Sequence, residues 1–222
     1  MTILLFSRRS EIFKSVLIGI LSFVLMCSLS FCSRAKTENK KQTTSAVDKH
    51  SRLVILQPFS DFTKEEALEF AQKLKTQGFM CEVSDPIQFP GSSWNSKRGR
   101  YRADSLIHFL RNRTQEGDVT IGLTHKDIST TKGKYEDWGV MGLGYMPGKS
   151  CVVSSFRIRG KNKEEKFTKV VVHEFGHTRG LDHCLVKDCL MRDAEGKDHL
   201  NEEKGFCDKC AGVLTAAGYH FY

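Results

Sequence analysis

His173-Glu174-Phe175-Gly176-His177 sets two imidazoles four residues apart with a carboxylate beside the first. On a helix this spacing puts both rings on one face, where they can reach one ion while Glu174 points toward the water that ion binds. The chemistry such a pattern would support is zinc-assisted hydrolysis of a peptide bond, with Glu174 as general base. A five-residue pattern of this kind arises by chance in roughly one chain per hundred at average residue frequencies. Gly180 and His183 extend it to H-E-x-x-H-x-x-G-x-x-H, which lowers the chance expectation by a further factor of roughly several hundred. Gly180 supplies a positive-φ stop just past the helix, and the turn swings His183 back as third ligand. Three neutral imidazoles leave zinc an open position for water, whose pKa the ion lowers toward ~7. His50, His108, His125, His199 and His220 stand in no such pattern and read as ordinary hydrogen-bonded residues.

Four cysteines follow, Cys184 and Cys189 as C-x4-C and Cys207 and Cys210 as C-x2-C, with Met191 between the pairs. Their spacing suits a closed tetrahedral thiolate site, in which a second, structural zinc bridges a loop to the start of the C-terminal helix. In an oxidising compartment the same thiols could instead close two disulfides. Zinc is the expectation, because a bound ion sequesters the thiolates and a C-x2-C pair at a helix N-terminus is well placed to hold them deprotonated. Cys81 and Cys151 read as buried small hydrophobes.

The segment HEFGHTRGLDHCLVKDCLM, with the later CDKC, resembles the archaemetzincins, a branch of the metzincin metallopeptidases. The shared pattern is the extended zinc motif, a Cys directly after the third His, a second Cys five residues on, a Met two further, and C-x-x-C downstream. The resemblance implies a twisted mixed sheet with packed helices, an active-site helix at its base, and a small zinc-stapled C-terminal subdomain reached through a methionine turn. Met191 would be that methionine, packed beneath the imidazoles without binding zinc. An exposed antiparallel edge strand would hold an extended peptide, and Gly139-Val140-Met141-Gly142-Leu143-Gly144-Tyr145 is the run that fits, its glycines letting a substrate backbone approach. The resemblance also leans toward aminopeptidase activity, for which Glu136, Asp137 and Asp182 are candidate carboxylates to bind a free amino terminus.

The elements that must position these groups alternate along the chain. Leu53 to Leu56 reads as a buried strand, and Thr63 with Glu66 forms a capping-box signature for a helix ending near Gly78. Phe79 to Val83 reads as a second strand, Tyr101 to Arg113 as a helix, Val119 to Leu123 as a third strand, and Glu164 to Thr178 as the helix carrying the zinc motif. Val140 to Met146 and Cys151 to Ser155 flank Pro147-Gly148-Lys149-Ser150, a turn suited to antiparallel pairing. Strands separated by helices imply a largely parallel sheet with helices packed on it, hence an α/β or α+β class.

The 222 residues leave room for one domain plus appendages. Basic residues Arg8, Arg9 and Lys14 precede an apolar run from Val16 to about Phe31, the layout of an export signal over residues 1–32. Leu29-Ser30-Phe31-Cys32 resembles a lipobox, in which Cys32 would carry lipid. Residues 33–50 read as a polar tether. Residues 51–222 form the expected metallopeptidase domain, with an N-terminal subdomain over 51–180 and a C-terminal one over 181–222. The expected location is exported: a periplasmic or membrane-anchored lipoprotein, otherwise secreted. Of the formal charge of +8, residues 1–50 contribute +5 from eight basic and three acidic residues, and the body only +3 from 26 and 23. That near-neutral body argues against a zinc-ribbon protein binding nucleic acid. The clusters Lys97, Arg98, Arg100, Arg102 and Arg157, Arg159, Lys161, Lys163, Lys166 are accordingly expected to be solvated. The expected partner is a peptide or protein substrate, with the membrane reached through the export segment, and the expected state is a monomer. A catalytically silent surface lipoprotein or peptide binder is the alternative.

Overall fold

Leu53 to Leu56 is apolar without alternation, and it enters β1 (Val54–Pro58), a strand covered on both faces. Thr63 then opens α1 (Lys64–Thr76). Its Oγ1 accepts the Glu66 N–H at 3.1 Å, and Glu66 Oε2 accepts the Thr63 N–H at 2.8 Å, a reciprocal cap of the kind that contributes ~1 kcal/mol. The stripe Ala67, Phe70, Ala71 and Leu74 faces the core. The chain reverses at Gly78, φ +98°, into β2 (Cys81–Val83), which runs parallel to β1. There follow β3 (Trp94–Asn95), β4 (Arg100–Arg102), α2 (Ala103–Arg111), β5 (Val119–Thr124), β6 (Ile128–Lys132), β7 (Tyr135–Val140), β8 (Gly142–Gly144), β9 (Ser150–Ser154), α3 (Lys163–Thr178) and α4 (Asp208–Ala216). The computed structural model describes residues 53–221, so the expected export signal, Cys32 and the tether lie outside the described residues.

The main sheet has the order β2-β1-β5-β9-β8, parallel throughout except for β8, which pairs antiparallel with β9 and forms the edge. Alternation along β9 divides the core. Cys151 and Val153 join the larger cluster with α1, α3 and α4, while Val152 joins Leu106, Ile107 and Leu110 of α2 on the opposite face. Helices thus cover both faces, as expected for an α/β class.

A second sheet, order β3-β4-β6-β7, was not expected from the sequence. It corrects the helix start: Tyr101 is in β4, paired with Ile128 and stacked on Phe89 at 4.0 Å, and α2 begins at Ala103. It also divides the run Gly139–Tyr145. Gly139 and Val140 end β7 in the second sheet, and Gly142 to Gly144 alone form the antiparallel edge of the first.

Candidate active site and metal centres

Packing against β8 and β9 holds α3, with Val170, Val171, Val172 and Phe175 buried. His173 and His177 lie one turn apart, with ring centroids 4.6 Å from each other. The helix ends where Leu181 N–H bonds back to Gly176 O at 3.1 Å and Gly180 N–H to His177 O at 3.0 Å. Gly180 has φ +85°, and a Cβ there would meet nothing within 4 Å, so the dihedral alone demands glycine. The reversal brings the His183 ring to 5.5 Å from that of His173 and 4.9 Å from that of His177. One nitrogen from each of the three rings lies within 4.8 Å of the others.

The chemistry of these nitrogens shows what fits between them. His173 Nδ1 lies 2.6 Å from Leu190 O, and His177 Nδ1 2.8 Å from Leu181 O. A carbonyl can only accept, so each Nδ1 carries the proton and each Nε2 presents a lone pair. The two Nε2 atoms are 3.0 Å apart. Two acceptors at that distance repel unless a cation stands between them. A proton is disfavoured, since burial and then His177 push His173 down to about 4. Burial likewise lowers His177. A metal ion fits this donor set.

Met191 is fully buried against α3, where a Cβ on Gly176 would come 2.5 Å from its Sδ. The glycine inside the zinc motif therefore leaves room for the sulfur. Glu174 is 7% exposed and lies under β8, where the Gly144 N–H donates to its carboxylate. Burial raises its pKa to about 8, against the lowering by that hydrogen bond. Gly142 and Gly144 are glycines because the helix is close. A Cβ on Gly144 would stand 2.7 Å from Glu174 O and 3.3 Å from His177 Cβ. The close approach of α3 is a reason for these glycines that the sequence alone did not offer.

Cys184, Cys189, Cys207 and Cys210 also converge, their four Sγ atoms within 4.8 Å of one another. Cys184 and Cys207 are 3.7 Å apart, close to the ~3.8 Å edge of a tetrahedron with zinc–sulfur bonds of ~2.3 Å and far from a disulfide bond of ~2.05 Å. All six described cysteines are free. Cys189 Sγ accepts N–H bonds from Met191 at 3.5 Å and Cys207 at 3.4 Å. Cys207 stands at the N-cap position of α4, and the backbone N–H of Cys210 lowers its thiol to about 7. These donors favour the thiolate at Cys207, whereas burial raises Cys189 and Cys210; four converging sulfurs of this kind fit a second metal ion. Cys81 and Cys151 lie apart from it in the core, where burial pushes Cys81 up to about 12.

Arg98, Arg100, Arg102, Arg157 and Lys166 of the basic clusters are in ion pairs, where solvated residues were expected, while Lys97, Arg159, Lys161 and Lys163 are exposed as expected. Asp137 takes Arg98 Nε at 3.0 Å, with Arg100 and Arg102 each at 3.6 Å, and accepts Ser129 Oγ at 2.5 Å. Asp127 takes Arg157 at 2.7 Å and Arg100 at 3.2 Å. Lys166 is buried against Asp198 at 2.7 Å, and Lys169 Nζ donates to Leu200 O and Glu203 O, both at 2.8 Å. Together these lysines fasten the loop after Met191 to the back of α3.

This pairing also removes Asp137 from the candidates for substrate amine. Glu136 is exposed, and its carbonyl is engaged by Arg102 and by Thr131 at 3.1 Å. Asp182 Oδ1 accepts the N–H of His183 at 2.7 Å and so sets that ligand's backbone. A fourth carboxylate, Asp193, was missed in the sequence: its Oδ2 lies 3.6 Å from His183 Nδ1. The N–H of Glu195, with His183 and Lys132 nearby, holds it below the usual carboxylate range.

At the family level, residues 55–216 match Peptidase family M54. The chain belongs to that family. The archaemetzincin of Haloarcula marismortui is 32% identical over 145 residues, 59% of this chain and 81% of that protein. The archaemetzincin of Methanopyrus kandleri is 28% identical over 167 residues, 73% of this chain and 90% of that one. Its crystal structure superposes with a TM-score of 0.63 at 25% identity, covering 76% of this chain and 96% of that chain. The archaemetzincin of Archaeoglobus fulgidus, solved with malonate, gives 0.58 at 27% identity over 72% and 99%. The expected archaemetzincin resemblance and mixed α/β fold are thus met, and this member of family M54 is a zinc metallopeptidase acting on peptides or proteins.

Proposed function

We propose that His173, His177 and His183 hold the catalytic zinc, that Glu174 is the general base, and that the four cysteines hold a second, structural zinc. The observation that carries this is the inward pair of Nε2 lone pairs at 3.0 Å, with His183 closing the triangle and Glu174 adjoining it. Bound zinc supplies Lewis acidity, polarising a carbonyl and acidifying water. The carboxylate of Glu174 takes the proton of the attacking water and passes it to the leaving amine nitrogen. Burial favours the neutral acid, whereas a dication within a few ångströms favours the ionised form the base requires. Gly144 N–H orients the carboxylate.

The proposed substrate is a short peptide trimmed from its amino end, laid along β8. That edge is three residues long, enough for ladder bonds to only a couple of substrate residues, which favours short substrates over long extended ones. Export through residues 1–32, with Cys32 as a lipid anchor, and a monomeric state complete the proposal. Glu174→Gln is its test: the variant retains zinc and loses peptide hydrolysis, while His183→Ala loses catalytic zinc as well. Equal turnover by wild type and Glu174→Gln would show that Glu174 is not the base, and absence of hydrolysis by both would instead support the silent peptide-binding reading. Stepwise trimming against internal cuts, read by mass spectrometry on a peptide library, tests the exopeptidase assignment.

A further inference from the structure

Each imidazole of the triad has an oxygen facing its Nδ1. For His173 and His177 it is a backbone carbonyl, Leu190 O and Leu181 O. For His183 it is the carboxylate of Asp193, with Oδ2 at 3.6 Å. The first two rings stand on α3, whereas His183 sits on a loop with its side chain 43% exposed, so nothing in its own backbone fixes the ring. We propose that Asp193 is the positioning residue of the third zinc ligand, holding the His183 ring with Nδ1 protonated and Nε2 turned to the metal. This inference rests on the reading of the three imidazoles as a zinc site.

A carboxylate at 3.6 Å acts by charge, being beyond ordinary hydrogen-bond length; a negative charge there favours a proton on Nδ1 and makes Nε2 the better donor to the ion. The carboxylate is itself fixed. Its Oδ1 accepts the Glu195 N–H at 2.9 Å. The turn behind it passes through Glu195 at φ +47° and Gly196 at φ +79°, closed by Lys197 N–H to Ala194 O at 2.7 Å. Trp138 of β7 backs this turn, with Cζ2 3.7 Å from where a Gly196 Cβ would lie. Asp182 and Asp193 therefore divide the task, one bonding the His183 backbone and the other facing its ring.

The bland alternative is that Asp193 only shapes its own turn through Glu195. Asparagine keeps that bond and removes the charge, whereas alanine removes both. The experiment measures zinc affinity of the purified full chain by chelator competition, with total zinc per chain, for wild type, Asp193→Asn and Asp193→Ala. The expected result is a fall of about 10–100-fold at the histidine site for both variants, with the thiolate-site zinc retained as the check on folding. Nitrogen-15 NMR of wild type should show His183 protonated at Nδ1, a signature a turn-shaping role does not require. Wild-type affinity in Asp193→Asn with a loss confined to Asp193→Ala would overturn the proposal, as would no loss in either. Should His183→Ala fail to change the zinc content of wild type, the underlying zinc-site reading fails instead, and that result is distinct from the other two.

Discussion

Gly142 faces Glu174 so closely that a Cβ on the glycine would stand 2.5 Å from Glu174 Cγ and 2.6 Å from Oε1. The edge strand and the proposed base thus occupy adjoining space with none to spare. Gly142→Ala should displace the carboxylate and lower kcat by about 10–100-fold, the scale of a ~1 Å misplacement, while zinc content stays at the wild-type value. Steady-state kinetics beside metal analysis check this, and unchanged kcat would mean that Glu174 has no need of its observed position.

Gly180 gives a separable prediction, because only its dihedral constrains it. Gly180→Ala meets no atom but holds a Cβ at φ +85°, which costs ~1–2 kcal/mol. The expected outcome is a thermal midpoint lower by several degrees, with peptide turnover reduced through His183. A midpoint equal to wild type would show that the turn relaxes.

Glu203 predicts how stability changes with pH. Its side chain is buried, with Oε2 unpartnered among the described residues. Burial lifts its pKa from 4.5 to about 7, so the folded chain binds this proton more tightly than the unfolded chain. The stabilisation is complete below pH ~4.5 and is lost as pH rises through ~7. Glu203→Gln should match wild type near pH 4.5 and exceed it by on the order of 1–3 kcal/mol at pH 8. Denaturant titrations at the two pH values measure the difference, and the same gap at both would remove the carboxylate as its cause.

The thiol cluster predicts a mass and a metal count. The purified, folded chain should hold two zinc ions, with Cys184, Cys189, Cys207 and Cys210 unreactive until denaturant and chelator are added together. One zinc, with a mass about 4 Da below the reduced value as two disulfides require, would show that oxidation had replaced the metal.

Much of the site could be read from the sequence because its parts are local. The capping box of α1, the helical spacing of His173 and His177, the stop at Gly180 and the Cys pairs each depend on residues a few positions apart. The second sheet could not be read in this way. β3 and β4 have two and three residues, too short for a period, and Arg100 and Arg102 resemble a charge run until Asp127, just before β6, and Asp137, in β7, pair with them. Asp193 was obscure for a similar reason: one acidic residue after the methionine turn carries no pattern, and only the fold brings it to His183. The glycines of β8 were recognised as meaningful, but their reason lies in α3, which the local sequence does not contain.

Leu190 joins the histidine cluster to the cysteine cluster through its own peptide groups. Its carbonyl takes the His173 ring, its N–H bonds Gly205 O at 2.8 Å, and it lies between Cys189 and Met191. If an ion among the thiolates steadies this segment, it raises the affinity of the imidazoles, and linkage requires the imidazole-bound ion to raise the thiolate affinity by the same factor. The proposed structural and catalytic ions then act as heterotropic ligands of each other. Under that coupling neither site would have a single dissociation constant, and zinc scarcity would divide the population into fully loaded and empty molecules more sharply than two independent sites would.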